Sequence, residues 1–170
     1  MKSKRIYIDM DNTLFDFDGE FQRRKDECEF PQSKYGFFLN LEPLPDAIET
    51  VQWLVEQGHD VWFATRPSFH NPLSYTEKRI CIENHFGFEM VKKLILIPDK
   101  SLLKGDYLID DSVSDGQLDF KGHLIRFGSI GSSSFSSSAI RSWKKFKNHW
   151  FEIEKYLNSF ENTDKIDASC

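Results

Sequence analysis

Cysteine is scarce: only Cys28, Cys81 and Cys170 occur in 170 residues, an odd number with no C-x-x-C or other metal-ligand spacing. That excludes a disulfide framework and fits a reducing compartment. The five histidines, His59, His70, His85, His123 and His149, form no H-x-H or H-x-x-x-H pair, so no zinc site is written among them. No apolar run approaches the roughly 20 residues that a membrane span needs, and no apolar signal region follows the charged N-terminus. The chain therefore reads as cytoplasmic, with no membrane partner. A net charge of −5 excludes a broad polyanion-binding surface, so no stable nucleic-acid partner is expected. There is no internal repeat and no G-x-x-x-x-G-K-[ST] phosphate loop.

Aromatic residues, in contrast, are plentiful, with 16 Phe and 4 Trp. A chain of this length buries roughly two-thirds of its unfolded surface, and much of that core should be aromatic. One domain over residues 1–158 is predicted, followed by a frayed tail over 159–170. Five short apolar runs read as strands: Ile6-Tyr7-Ile8, Val61 to Ala64, Leu94 to Ile97, Tyr107-Leu108-Ile109 and His123 to Phe127. Helical patterns alternate with several of them. A charged stretch covers 19–25. Asp46 is the expected N-cap of a helix carrying Ala47, Val51, Leu54 and Val55 and stopped by Gly58. A third helix runs from about Tyr75 to Phe86, closed by Gly87. A last one, from Ala139, carries the stripe Trp143, Phe146, Trp150, Ile153 and Leu157. Between them, residues 128–138 hold seven serines and two glycines and read as a loop.

Strands alternating with helices predict an α/β fold, a Rossmann-like parallel sheet flanked by helices, because parallel neighbours need crossover connections. The polar tips of the runs, Asp9 to Thr13, Thr65 to Ser68 and Asp110 to Ser112, would then share the carboxyl edge where such sheets bind ligands. Asp9 and Asp11 are spaced i and i+2 at the end of a strand, so both side chains project from one face. Two carboxylates that close repel unless a hard cation or a proton lies between them; the plain alternative is an acidic turn at the surface. A hydroxyl at Thr65, a lysine and the Asp110-Asp111 pair complete a set that supplies a nucleophile, an acid/base, a cation cage and phosphoryl-oxygen donors. Carboxylates without His or Cys suit Mg²⁺ rather than Zn²⁺. Phosphoryl transfer uses all of these parts.

Asp9-Met10-Asp11-Asn12-Thr13, Thr65 after its apolar strand, a lysine and Asp110-Asp111 resemble the ordered motifs of the haloacid dehalogenase-type phosphatases. The resemblance implies Mg²⁺ dependence and an aspartyl-phosphate intermediate. Asp9 would be the nucleophile, Asp11 the acid and then the base, and Thr65 a phosphoryl-oxygen ligand. Asp111, Asp9 and the carbonyl of Asp11 would hold the metal, with Asp110 either binding it or bracing a ligand. Four segments are similar to the 5′(3′)-deoxyribonucleotidase branch: Asp9 to Phe17, Leu41 to Ala47, Tyr75 to Lys78 with His85-Phe86-Gly87, and Asp99 to Asp111. By that similarity Lys100, ten residues before Asp110, would bind phosphate, with Lys104 as the alternative. Lys78 would be a further phosphate-side lysine, and Phe17 would pack against a nucleoside.

Two features depart from the branch. Arg66 stands where a small hydroxyl residue is usual. The cap insertion is short, only residues 18–42, with Phe37 and Phe38 as a possible stacking wall or plain core. A reduced cap would also open the cleft to larger substrates such as nucleic-acid 3′-phosphate ends. The expected substrate is a small-molecule phosphomonoester, a nucleotide. A dehalogenase would not need Asp11, and a receiver domain would carry an acidic acceptor where Thr65 stands. A catalytically silent phosphate-binding protein of the same fold would lack a motif residue, and none is missing.

Overall fold

Runs of β-branched and aromatic residues form five strands, β1 Arg5–Ile8, β2 Asp60–Thr65, β3 Leu94–Leu96, β4 Tyr107–Asp110 and β5 His123–Arg126. The structure is a computed structural model that describes residues 2–128 and 142–163, the side chains of 157, 158 and 160–163 excepted. All the strand pairs are parallel, and the order is β3-β2-β1-β4-β5. β1 is central, with Ile8 opposite both Phe63 of β2 and Ile109 of β4. The chain builds outward from β1 to β3, then returns to the other side of β1 to lay down β4. The edge beyond β1 and β4 is thus the point where strand order reverses, the usual ligand position in open α/β sheets.

The helices are α1 Phe17–Arg24, α2 Ala47–Glu56, α3 Ser74–Phe86, α4 Phe88–Val91 and α5 Trp143–Thr163. β4 and β5 are joined by a 3-10 turn, Gln117–Asp119, rather than by a helix. The alternation of β1 divides the core. Ile6 and Ile8 join a large cluster with Phe63, Ile109, Trp143, Phe146 and Trp150, while Tyr7 faces a smaller one with Ala64, Leu103, Leu108 and Phe120. The stripe of α5 is buried at Trp143, Phe146, Trp150 and Ile153; Leu157 lies outside the described side chains. The helix continues to Thr163, past Ser159 where fraying was expected. The serine-rich segment beyond Gly128, the start expected at Ala139 and the end of the tail lie outside the described residues. Among the described residues no helix is long and apolar enough to cross a membrane.

Asp46 precedes α2, but its backbone is left-handed at φ 62° and its side chain caps nothing. Thr50 Oγ1 donates instead to the Asp46 carbonyl at 2.7 Å, so the first turn is tied from inside the helix. α3 departs from an apolar stripe. Its buried face is Ser74, Glu77, Lys78, Cys81 and Ile82, a helical spacing occupied largely by polar groups.

The insertion over 18–42 is closed at its base. Asp16 N–H donates to the Glu42 carbonyl at 2.9 Å and Leu44 N–H to the Leu14 carbonyl at 2.8 Å. Phe37 and Phe38 are buried in the main core and contact Phe17, with ring centroids 5.1 and 6.2 Å away. They anchor the cap rather than stand out from it.

Candidate active site

Asp9 follows β1 directly, and its N–H extends the ladder to the Ile109 carbonyl at 2.9 Å. The chain then folds back tightly, with Leu14 and Phe15 N–H both donating to Met10 O at 2.9 Å. Asn12 takes the left-handed conformation at φ 55°, which asparagine tolerates better than most residues. The indole of Trp143 donates to the Thr13 carbonyl at 2.7 Å, fixing the turn from α5. Thr13 Oγ1 in turn accepts the Asp111 N–H at 3.2 Å, which joins the tips of β1 and β4.

The two acids of the turn have separate cationic partners. Lys100, fully buried, lies between Asp9 Oδ1 at 2.6 Å and Asp110 Oδ2 at 2.5 Å. Lys104 is exposed and takes no part. Lys78, also fully buried, donates to Asp11 Oδ2 and Thr65 Oγ1, both at 2.7 Å, and to the Arg66 carbonyl at 2.8 Å. Asp9 and Asp11 are neighbours in sequence, yet each is held by a lysine from a different element. Burial raises the pKa of the Asp11 carboxyl, and the negative charge of Asp9 adds to that, while Lys78 opposes both. Although 29% of the Asp11 side chain is exposed, its Oδ1 is enclosed and has no hydrogen-bond partner among the described residues.

Carboxylate oxygens of Asp9, Asp110 and Asp111 lie within 4.8 Å of one another. Burial, then repulsion from Asp9 and Asp110, lifts Asp111 to about 7; burial and Asp9 raise Asp110 despite Lys100. This is an excess of crowded negative charge built only from oxygen donors, which suits a hard divalent cation such as Mg²⁺. Asp11 contributes no carboxylate oxygen to the group, because that carboxylate faces Lys78.

These residues floor a cavity of about 360 Å³ that Phe17, Phe38, Arg66 and Phe69 also line. Phe38, 1% exposed, belongs to that lining, and Phe37 does not. Arg66 points along the rim and pairs with the Asp115 carboxylate. Three contributors were not singled out from sequence. Gln117 is buried and donates from Nε2 to both oxygens of Asp110 at 3.2 Å. Asp115 accepts the Lys100 N–H at its carbonyl, 2.7 Å away. Glu77 is buried and accepts the N–H groups of Gly36 and Phe38 at 2.8 and 3.0 Å, tying the cap to α3 beside Lys78. Only Glu77 left a trace in the sequence, as a charge at the i+3 position from Ser74 on a helix that must bury one face.

The parallel sheet and its flanking helices have the fold of a hydrolase of the haloacid dehalogenase type. The magnesium-bound YfnB of Bacillus subtilis, provisionally named a HAD-hydrolase, superimposes with a TM-score of 0.55 at 12% identity, covering 87% of this chain and 98% of that one. Within that fold, the family described as "5' nucleotidase, deoxy (Pyrimidine), cytosolic type C protein" matches residues 22–153, and the chain belongs to it as a phosphoric monoester hydrolase. The matched stretch includes Thr65, Lys78, Lys100, Asp110 and Asp111, and begins after Asp9 and Asp11.

A Vibrio phage KVP40 protein, provisionally named a 5'(3')-deoxyribonucleotidase, is 30% identical over 165 residues, covering 91% of this chain and 84% of its own. The mitochondrial 5'(3')-deoxyribonucleotidase of Mus musculus is 31% identical over 144 residues, 65% of each chain. The cytosolic-type enzyme of Homo sapiens is 29% identical over 143 residues, 65% of this chain and 71% of its own.

Proposed function

We propose that this protein is a Mg²⁺-dependent nucleotidase that hydrolyses nucleoside monophosphates through an aspartyl-phosphate, in the manner of a 5′(3′)-deoxyribonucleotidase. The observation that carries this reading is the division of partners between the two acids of the first turn. Asp9, which accepts from Lys100 beside the acidic pair, is the nucleophile of this reading. Asp11, held at Lys78 with burial raising its pKa, is suited to carry a proton.

In the first step an Asp9 oxygen forms a bond to phosphorus, the ester P–O bond breaks, and the leaving oxygen takes the Asp11 proton. In the second, Asp11 as carboxylate takes a proton from water, whose oxygen bonds to phosphorus. The Asp9 acyl-phosphate bond then breaks, releasing inorganic phosphate and restoring Asp9. Lys78, Lys100 and Thr65 neutralise and orient the phosphoryl oxygens. Asp9, Asp110, Asp111 and the carbonyl of Asp11 would hold Mg²⁺. When bound, the ion screens the acids from the phosphate and stabilises charge in the transition state. Free thiols at Cys28 and Cys81 suit a cytoplasmic setting.

A phosphate-release screen across deoxy- and ribonucleoside 5′- and 3′-monophosphates, with and without Mg²⁺, tests the reading. Turnover by the wild type, lost by at least about a thousandfold in Asp9→Asn, is the expected result. Full turnover by Asp9→Asn would refute the mechanism.

A further inference from the structure

We propose that Phe69, on the loop after β2, is the platform on which the nucleobase of the substrate stacks. This rests on the nucleotidase reading above and names the group that recognises the base. An aromatic face is the sequence-tolerant way to hold a nucleobase, and the cap does not offer one freely. Phe37 and Phe38 are buried, and Phe17, half-buried, packs against Phe21, Phe37 and Phe38 at 6.4, 5.1 and 6.2 Å. Phe69 lines the same cavity with 67% of its surface exposed, four residues beyond the buried hydroxyl of Thr65.

An exposed phenylalanine on a loose loop would carry no meaning. The base of this loop, however, is tied down from both ends. Ser74 Oγ accepts the Ser68 N–H and donates to the Ser68 carbonyl, each at 3.1 Å. Asn71 N–H donates to the same carbonyl at 3.2 Å, and Asn71 Nδ2 reaches across to the Lys34 carbonyl at 3.2 Å. Both Ser74 and Asn71 are fully buried. The ring is thus held at the cavity by buried polar anchors, in the position where an apolar surface gains most from a ligand that covers it.

Arg66 strengthens the placement. Its guanidinium stands 5.9 Å from the Phe69 ring centroid while its end pairs with Asp115 on the opposite loop. The ring therefore sits beside a paired cation in the wall of the cavity that Asp9 and Lys100 also line. A nucleotide with its phosphate at Asp9 would extend its sugar and base toward this ring.

The test compares kcat/KM for deoxynucleoside 5′-monophosphates with kcat/KM for 2-deoxyribose 5-phosphate, which has the same sugar and phosphate without a base. Phe69→Ala should lower that ratio roughly tenfold, mainly through KM for the nucleotides. Phe69→Trp should keep it, and Phe69→Leu should fall with alanine. An unchanged ratio in Phe69→Ala, or leucine performing as well as tryptophan, overturns the stacking role while leaving the nucleotidase reading intact. A wild-type ratio near one overturns that reading and this inference with it.

Discussion

Replacing Lys78 by methionine keeps the length of a buried side chain and removes its charge. The ammonium has three acceptors within 2.8 Å, Asp11 Oδ2, Thr65 Oγ1 and the Arg66 carbonyl, and is itself fully buried. Removing one partner of a buried pair costs about 3–5 kcal/mol. The partly exposed Asp11 can relieve some of that by taking up a proton, so about 3 kcal/mol is expected near neutral pH. In a domain of this size that is a fall in Tm of roughly 6–12 °C.

The pH dependence follows from the direction of the Asp11 shift. Burial already raises its pKa and Lys78 works against it, so the variant's folded-state pKa rises further. A carboxyl whose folded pKa is raised destabilises the fold progressively as pH climbs through that value. The deficit of Lys78→Met should therefore be larger at about pH 8 than at about pH 5, measured by urea denaturation of both proteins. The alkaline limb of the kcat/KM–pH profile should move upward with it, because Asp11 must carry the proton that the leaving oxygen takes. A deficit under about 1 kcal/mol at pH 8, or one that does not change with pH, would refute the assignment of Lys78 as the charge that balances Asp11.

Two further outcomes follow. Without a divalent cation, the crowded acids at Asp110 and Asp111, the latter lifted to about 7, should make the protein lose stability as pH rises from the ordinary carboxyl range to neutrality. Mg²⁺ competes with those protons, so its thermal-shift effect should grow between about pH 5.5 and 8; an equal shift at both would count against an ion at these residues. Glu77→Ala removes the acceptor of two cap N–H groups, at a cost of about 2–4 kcal/mol. It should expose residues 30–40 to limited proteolysis, with Glu77→Gln milder; a cap as resistant as in the wild type would show that the carboxylate does not dock it.

The sequence by itself determined the order of elements and the shared edge. Five apolar runs with polar tips, separated by helical spacings, leave a parallel sheet as their consistent arrangement, because strand ends that carry acids must face solvent or a ligand. Asp9, Asp11, Thr65, Asp110 and Asp111 were legible at that edge for that reason, whereas Lys100 was singled out only by the resemblance to the nucleotidase branch. Local patterns did not decide which acid meets which lysine. That depends on α3 laying Lys78 against Asp11 while the turn at Lys100–Leu102 brings Lys100 between Asp9 and Asp110, contacts across 67 and 91 residues of chain. Nor did sequence separate core from wall among the aromatics. Phe37, Phe38 and Phe69 are the same residue type, and only the packing of a short cap, pinned by Glu77, buries the first two and leaves the third at the cavity. Burial is a property of what folds over a side chain, and here the covering segments come from distant parts of the chain.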